Sequence, residues 1–277
     1  MAVYVDGKIP FFSRRTRDKY FKMADAHFHD KHELYYLENG KTKYFIGSEI
    51  YLLAPGDFLF IPKGEFHKTD NGGDSSTERL LFVFNDDFIG SEYSGYIDEL
   101  SEDRHVRLPQ EQLQLFREII RKIEKEAELR QKNYIEMQKL YLRQILILIS
   151  RFRQKDNPKK LSETYILIRN AARYISSNCN QDLSLSALSR KYAVSPGYFS
   201  KLFKKVTGVG LNEYVNISRV TAARELLKAS NMPITRVAEE CGFNDSNYFA
   251  QVFKKINGIT PKKYALQAAE KSKGAPL

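Results

Sequence analysis

Hydrophobic and polar positions follow the pattern of short β-strands in residues 1–108. The apolar runs are short, rich in aromatic and branched side chains, and separated by Gly, Pro and Asn residues. Runs of this kind, with turn residues between them, predict a small β-barrel or sandwich. The predicted strands lie at 33–37, 43–46, 50–53, 57–62 and 79–84.

Helical spacing replaces this pattern between residues 109 and 153. Apolar residues recur every three or four positions from Pro109 to Glu128 and from Asn133 to Phe152, which predicts two amphipathic helices. The run 145–149 is apolar on every side. We expect one side of this run to pack on its own domain and the other side to meet a second copy of the chain. The alternative is that these helices pack only within their own chain.

The C-terminal part contains an internal repeat. Residues 185–208 match residues 234–258, with one extra residue in the turn of the second copy. Each copy reads as a short helix, a tight turn and a second helix that begins at a capping Ser195 or Asp245. The sequence therefore predicts two helix-turn-helix motifs in an all-α domain at 160–266.

One face of each second helix is predicted to read DNA, because phenylalanines at four-residue spacing must occupy the opposite face. Gln and Asn suit the adenine edge and Lys suits the guanine edge, whereas lysines late in a helix suit the phosphate backbone. A helical bundle with merely polar surfaces is the alternative, and two copies in register argue against it. The candidate DNA-binding residues are Gly197, Ser200, Lys201, Lys204 and Lys205 in the first copy, and Ser246, Asn247, Gln251, Lys254 and Lys255 in the second.

The net positive charge of the chain lies entirely in the same C-terminal part. Residues 156–277 carry 19 Lys and Arg against 9 Asp and Glu, whereas residues 1–155 carry 25 of each. Lys and Arg neutralise phosphates and release counterions, so a basic module joined to a neutral one is expected of a protein that binds a polyanion.

The stretch 234–264 is similar along its whole length to the signature of the AraC/XylS family of bacterial transcription regulators, and residues 165–265 resemble the DNA-binding domain of that family. The family pattern usually ends in Tyr-Arg, whereas here Ala265 follows the tyrosine. A phosphate contact from this place must therefore come from Lys262 or Lys263. The resemblance implies two recognition helices that enter successive major grooves on one face of the duplex.

The resemblance also implies an α+β multidomain fold. A cupin-like, effector-binding β-barrel at 1–108 would precede two helices at 109–153 that serve dimerisation and linkage, and a polar linker at 154–160 would lead to the double helix-turn-helix domain. The implied partners are double-stranded DNA, a small-molecule effector such as a sugar, a second copy of the chain, and RNA polymerase.

The barrel contains a candidate metal or effector site. His27, His29 and Glu33 are separated by even numbers and would share one face of a continuous strand, with His67 on a facing strand. Two stretches have spacings similar to the two cupin motifs. They are His27-x-His29-x3-Glu33-x6-Gly40 and Gly56-x5-Pro62-x-Gly64-x2-His67-x3-Asn71. Three imidazoles and a carboxylate suit Fe, Mn, Ni, Zn or Cu, so a divalent metal is a candidate cofactor; histidines that only form hydrogen bonds are the alternative. The same four residues and Tyr35 are the candidate effector-binding residues, whereas His32 and His105 show no partner pattern.

Length and composition limit the classes of protein to which this chain can belong. A chain of 277 residues with 42% hydrophobic residues is long enough for two cores, and its two cysteines give no disulfide framework. No apolar run is long enough for a membrane span or a signal peptide, which predicts a cytoplasmic protein without a membrane partner. No other catalytic constellation is evident, so we expect a regulator and not an enzyme. The alternative is a metal-dependent cupin enzyme with an appended DNA-binding domain.

Overall fold

The computed structural model describes residues 2–5, 9–18, 20–21, 29–71, 76–155, 161–230 and 232–273. The chain divides into two compact units, residues 1–160 and residues 161–277. No helix in the described ranges is long and apolar enough to cross a membrane.

The first unit contains two antiparallel sheets. The larger sheet has the strand order β1-β2-β8-β3-β6-β9-β10, and the smaller one has the order β5-β4-β7. Five of these strands, β3, β4, β5, β6 and β8, are the predicted ones. The described strands are β1 (Ala2–Val5), β2 (Ile9–Arg17), β3 (His32–Asn39), β4 (Thr42–Ile46), β5 (Glu49–Leu53), β6 (Asp57–Ile61), β7 (His67–Asp70), β8 (Thr77–Phe84), β9 (His105–Arg107) and β10 (Gln154–Lys155).

Alternate residues of the larger sheet enter two different cores. Leu34 and Tyr36 of β3 pack with Phe58 of β6 in the core that also contains the helices of this unit. Tyr35 and Leu37 point the other way and pack with residues of β4, β5 and β6 between the two sheets. The period of two along a strand produces this division, and it leaves the odd-numbered side chains of β3 facing the barrel interior.

Four α-helices and one short 3-10 helix (Ser91–Tyr93) complete the first unit within its described residues. The α-helices are α1 (Asp86–Ile89), α2 (Ser94–Glu102), α3 (Gln110–Leu129) and α4 (Tyr134–Phe152). Helices α3 and α4 pack against the outer face of the larger sheet, where the Phe116 ring lies 4.8 Å from both Tyr36 and Phe58. Ile145, Leu146, Leu148 and Ile149 are all buried in this core. These four residues are covered within their own chain, so Ile147, which is half-buried, is the residue of this run that keeps surface for a second copy. Association of two copies stays a prediction.

The second unit is all-α. Its described helices are α5 (Glu163–Ser177), α6 (Leu185–Lys191), α7 (Pro196–Thr207), α8 (Leu211–Ala229), α9 (Ile234–Glu240), α10 (Ser246–Asn257) and α11 (Pro261–Lys273). The pairs α6–α7 and α9–α10 are the two helix-turn-helix motifs, and α8 joins them. The Ser195 and Asp245 side chains accept hydrogen bonds from the backbone N–H groups of Tyr198 and Tyr248, at 3.3 and 2.6 Å, as the capping pattern predicts.

The turn inside each motif uses the left-handed backbone region. Ala193 has φ of 53° in the first motif, and Gly242 has φ of 84° in the second. Glycine adopts this region without strain and alanine does not. The two motifs therefore share one turn geometry although their residues at this position differ.

Candidate functional site

The two second helices expose equivalent faces. Phe199 and Phe203 of α7, and Phe249 and Phe253 of α10, are completely buried. At 100° per residue, Lys201 and Gln251 lie directly opposite these phenylalanines. Two of the ten candidate DNA-binding residues, Ser200 and Ser246, are half-buried at the margin of these faces. The other eight are exposed to solvent: Gly197, Lys201, Lys204, Lys205, Asn247, Gln251, Lys254 and Lys255.

Two tyrosines belong to the same surface and were not among the sequence-based candidates. Tyr198 and Tyr248 are 48% and 50% exposed, although aromatic side chains usually bury more of their surface. The Tyr248 hydroxyl accepts a hydrogen bond from the Asn216 side chain of α8 at 3.0 Å. Their equivalent positions in the two copies of the repeat are the signal that could have identified them.

Arg219 holds the second motif against the segment between α5 and α6. Its Nε donates to the Cys179 carbonyl at 2.9 Å, and its guanidinium lies 5.6 Å from the centre of the Phe243 ring. Burial lowers the pKa of Arg219. A Cβ atom at Gly242 would lie only 2.4 Å from the same Cys179 carbonyl oxygen, so this backbone approach requires glycine.

The N-terminus of α11 carries the lysines expected near a phosphate. The backbone N–H of Lys263 donates to the Thr260 hydroxyl at 3.3 Å, and both Lys262 and Lys263 are exposed. A helix N-terminus favours anions through its free N–H groups. Lys262 and Lys263 carry the charge that a phosphate contact needs, and they lie three and two positions before Ala265, where the family pattern has arginine.

Three of the four predicted ligands in the barrel come together. His29 Nε2 lies 3.0 Å from Glu33 Oε1, and His67 Nε2 lies 3.9 Å from Glu33 Oε2. One ligand atom from each residue lies within 4.8 Å of the others. The fourth candidate, His27, falls outside the described residues.

The backbone that delivers His29 is not the predicted continuous strand. Strand β3 begins at His32, and the chain bends at Asp30 and Lys31. His29 Nδ1 lies 3.0 Å from the Lys31 carbonyl, and Gly64 N–H donates to the His29 carbonyl at 2.7 Å. These local hydrogen bonds fold the imidazole back onto Glu33, so the bend and not strand alternation brings the two side chains together.

The electrostatics of this cluster favour a charged pair. Burial lowers the pKa of His29, but the hydrogen bond and the charge of Glu33 outweigh burial and raise it overall. Burial raises the pKa of Glu33, but the hydrogen bond from His29 and the charges of His67, His29 and Arg79 lower it overall. A carboxylate flanked by two imidazoles can hold a divalent cation or bind hydroxyl groups of a ligand.

Tyr35 lines the same interior beside Tyr44, with ring centres 5.0 Å apart in an edge-to-face arrangement. Burial raises the pKa of Tyr35 to about 12, so its hydroxyl stays protonated and can donate a hydrogen bond. Arg79 of β8 lies 5.7 Å from the Tyr35 ring centre. Arg79 was not predicted as a site residue. It lies two and four positions before Leu81 and Val83 on β8, so it shares their face of the sheet, which is the face toward the interior.

The two histidines without a sequence pattern have partners in space. His32 Nδ1 accepts the Lys63 backbone N–H at 3.1 Å, and its Nε2 lies 2.9 Å from Asp86. His105 Nε2 lies 3.2 Å from the buried Asp57. Each pair joins residues far apart in sequence, which explains why no spacing reveals it.

Known families match both units. The model of the AraC-like ligand binding domain matches residues 10–144, and that of a helix-turn-helix domain matches residues 188–267. The chain is 26% identical over 238 residues to the HTH-type transcriptional activator RhaR of Mannheimia succiniciproducens, with 86% of each chain covered. It is 41% identical over 105 residues to the regulatory protein PocR of Salmonella typhimurium, which covers 38% of this chain and 35% of that protein. It is also similar to the solved structure of ToxT from Vibrio cholerae, with a TM-score of 0.38 and 14% identity over 92% of this chain and 98% of that one.

The family and the fold class expected from the sequence are thus confirmed. The two family matches occur in the same order as the β-sheet unit and the helix-turn-helix unit, and together they span most of the chain. The chain belongs to the AraC family of transcription regulators: it binds DNA through two helix-turn-helix motifs and responds to a small-molecule effector through its ligand-binding domain.

Proposed function

We propose that the effector binds inside the barrel at His29, Glu33, Tyr35 and His67, and that its binding changes how the second unit engages DNA. The observation that supports this proposal is the polar cluster in the barrel interior, where Glu33 contacts both imidazoles beside a buried tyrosine. Polar groups that converge in an otherwise apolar interior are the usual form of a small-molecule site. Sugars are the first compounds to test.

The DNA contacts follow from the exposed faces of α7 and α10. We propose that Lys201, Asn247 and Gln251 contact base edges, and that the lysines at the ends of both helices contact phosphates. The curated relative RhaR is named a transcriptional activator. We propose that this chain likewise activates transcription in the cytoplasm by contacting RNA polymerase, without enzymatic activity of its own.

A dimer would present two such reading units. Met137, Leu140 and Ile147 fall on one side of α4 by helical spacing, and Leu140 is 52% exposed. This side of α4 offers apolar surface to a second copy, whereas Ile145, Leu146, Leu148 and Ile149 are buried within the chain. We propose that two copies associate through it.

The experiment that tests effector control is a linkage measurement. An effector shifts DNA affinity only by its differential affinity for two arrangements of the protein, and DNA must shift effector affinity by the same factor, typically for about 1–3 kcal/mol of coupling. Candidate sugars would be titrated by thermal shift, and each hit would be titrated again with cognate DNA, found by footprinting beside the coding region. A ligand whose affinity is identical with and without DNA, and which leaves transcription in vitro unchanged, would refute the proposal.

A residue-level control separates binding from folding. Glu33→Gln should weaken effector binding while the 161–277 fragment still binds DNA without any response to the effector. If Glu33→Gln and the wild-type protein respond alike, the barrel cluster is not the effector site.

A second candidate function follows from the close approach of His29, Glu33 and His67. Two imidazoles and one carboxylate are ligands that Fe, Mn, Ni, Zn and Cu accept, and such a metal would supply Lewis acidity or redox chemistry to a bound substrate. Metal analysis of the purified protein, followed by turnover assays on any metal-loaded sample, tests this reading. Stoichiometric metal that His67→Ala abolishes would support a metal site.

A further inference from the structure

Two arginines carry guanidinium nitrogens that nothing in the described chain satisfies. Arg79 of β8 is only 5% exposed, and its Nη1 is buried with no hydrogen-bond partner among the described residues. The Nε of Arg17, on β2, is in the same state within that part of the chain. A buried guanidinium nitrogen without an acceptor is costly, because it loses hydration without gaining a hydrogen bond.

The two arginines project from one face of the larger sheet. Strands β2 and β8 are neighbours, and Arg15 and Arg17 stand opposite Arg79 and Thr77 in their register. Residues directly opposite each other in an antiparallel pair share a face. The cation–π contact of Arg79 with Tyr35 identifies this face as the barrel interior.

Like charges are therefore held together in a partly buried place. Burial and the positive charge of Arg79 lower the pKa of Arg17 to about 10, so the Arg17 cation is disfavoured there but still formed at neutral pH. The guanidinium of Arg17 lies 3.6 Å from the centre of the Phe21 ring, which restricts its position. The neighbouring carboxylate of Glu33 forms its hydrogen bond with His29.

We propose that the effector carries a carboxylate or phosphate group that binds Arg79 and Arg17. This rests on the proposed function, which puts the effector in the barrel. A guanidinium offers several N–H donors in a fixed plane and matches both kinds of anion. The hydroxyls of Tyr35 and Tyr44 and the His29, Glu33 and His67 cluster then provide partners for the uncharged polar groups of the same molecule.

Matched pairs of ligands test the charge requirement on the full-length protein. Galacturonate would be compared with galactose, and glucose 6-phosphate with glucose, with acetate and inorganic phosphate as the smallest probes of each anion. Calorimetry and thermal shift should show binding of at least one acid and much weaker binding of its neutral counterpart. The two acid series distinguish a carboxylate site from a phosphate site.

Arginine variants test the location. Arg79→Gln and Arg17→Gln should each weaken binding of the acid by at least about tenfold, the loss expected for a hydrogen bond to a charged group. Arg14→Gln removes the same charge from the same strand, but on the outer face, where Arg14 pairs with Glu38 and Glu124. This variant should bind the acid like the wild-type protein.

Stability of the ligand-free protein gives a measurement that depends on no particular probe. If the two guanidiniums await an anion from outside, Arg79→Met should raise the melting temperature, because a buried guanidinium nitrogen without a hydrogen-bond partner leaves the interior. A lower melting temperature would show that the chain itself neutralises Arg79, and it would overturn the proposal. Failure of every acid and of inorganic phosphate to stabilise the wild-type protein would overturn it as well.

The outcomes also separate this inference from the proposed function. A neutral compound that binds the barrel and changes DNA affinity would refute the anion site but support effector control. An acid that needs Arg79 but leaves DNA affinity unchanged would support the anion site and refute effector control.

Discussion

The turn of the second helix-turn-helix motif should not tolerate a methyl group at Gly242. Gly242 has φ of 84°, and a Cβ there would lie 2.4 Å from the Cys179 carbonyl oxygen and 2.8 Å from the Asn180 Cα. Both are backbone atoms, so no side-chain rotation relieves the overlap. Gly242→Ala must therefore move α9 and α10 away from the segment that follows α5.

The expected loss has two parts. The left-handed conformation costs an alanine about 1–2 kcal/mol, and forcing an extra methyl into a packed place costs about 1–3 kcal/mol. Together these lower the free energy of unfolding of the second unit by roughly 2–5 kcal/mol. For a unit of this size, such a loss corresponds to a fall in the melting temperature on the order of 10 °C.

A second glycine separates the two parts. Gly258 has φ of 76°, but a Cβ there meets nothing within 4 Å, so Gly258→Ala carries only the conformational cost. Ala193→Gly, at the equivalent turn of the first motif, should relieve strain and be neutral or stabilising. Urea denaturation of the three variants, with DNA affinity measured in parallel, checks the order. If Gly242→Ala and Gly258→Ala lose equal stability, the contact with the Cys179 carbonyl is not restrictive.

Three other predictions concern DNA reading, assembly and pH. Gln251→Ala should lower the binding free energy by about 1–3 kcal/mol on the cognate site and by little on scrambled DNA. Lys254→Ala should weaken binding to both DNAs and flatten the salt dependence in binding titrations. An unchanged ratio of cognate to scrambled affinity for Gln251→Ala would show that the base contact is wrong. Leu140→Glu should shift sedimentation toward monomer at an unchanged melting temperature, whereas Leu148→Glu should unfold the first unit; a wild-type chain that stays monomeric with and without DNA contradicts the dimer. Burial lowers the pKa of His32 from 6.5, so the unfolded chain takes up this proton first and the free energy of unfolding should fall as pH drops below 6.5. His32→Gln should remove that part of the pH dependence in denaturation measured at several pH values, and an unaltered slope would refute the assignment.

The sequence predicted much of the fold, because the hydrophobic spacing within an element and the internal repeat can both be recognised without knowing which elements pair. The helical spacing predicted α3 and α4 to within a residue or two, and the internal repeat predicted both motifs with their caps. Strand β2 escaped notice because Arg14, Arg15 and Arg17 interrupt its apolar pattern. Its pairing with β8 decides which of these arginines faces inward, and no local pattern contains that information.

The sequence likewise predicted one part of the candidate site and missed another. The cupin-like spacing correctly selected His29, Glu33 and His67 as neighbours, although the bend at Asp30 replaced the expected strand. The run at 145–149 is a different case: its all-round apolar sequence suggested a second copy of the chain, and four of its five residues are buried within the chain itself. A helix between a sheet and another helix is also apolar on all sides, so the sequence alone could not separate the two cases.

Helix α8 fixes the position of the two helix-turn-helix motifs relative to each other. Its N-terminal half contributes Tyr214 to the first motif, 5.3 Å from the Phe203 ring, and its C-terminal half contributes Val220, Ala223 and Leu227 to the second core. If the two motifs enter successive major grooves, as the resemblance implies, one extra base pair between those grooves would rotate one groove by about 34–36° and shift it by about 3.4 Å. A continuous helix anchored in both cores cannot follow that change. The DNA segment that one copy of the chain contacts should therefore have an invariant length in every promoter.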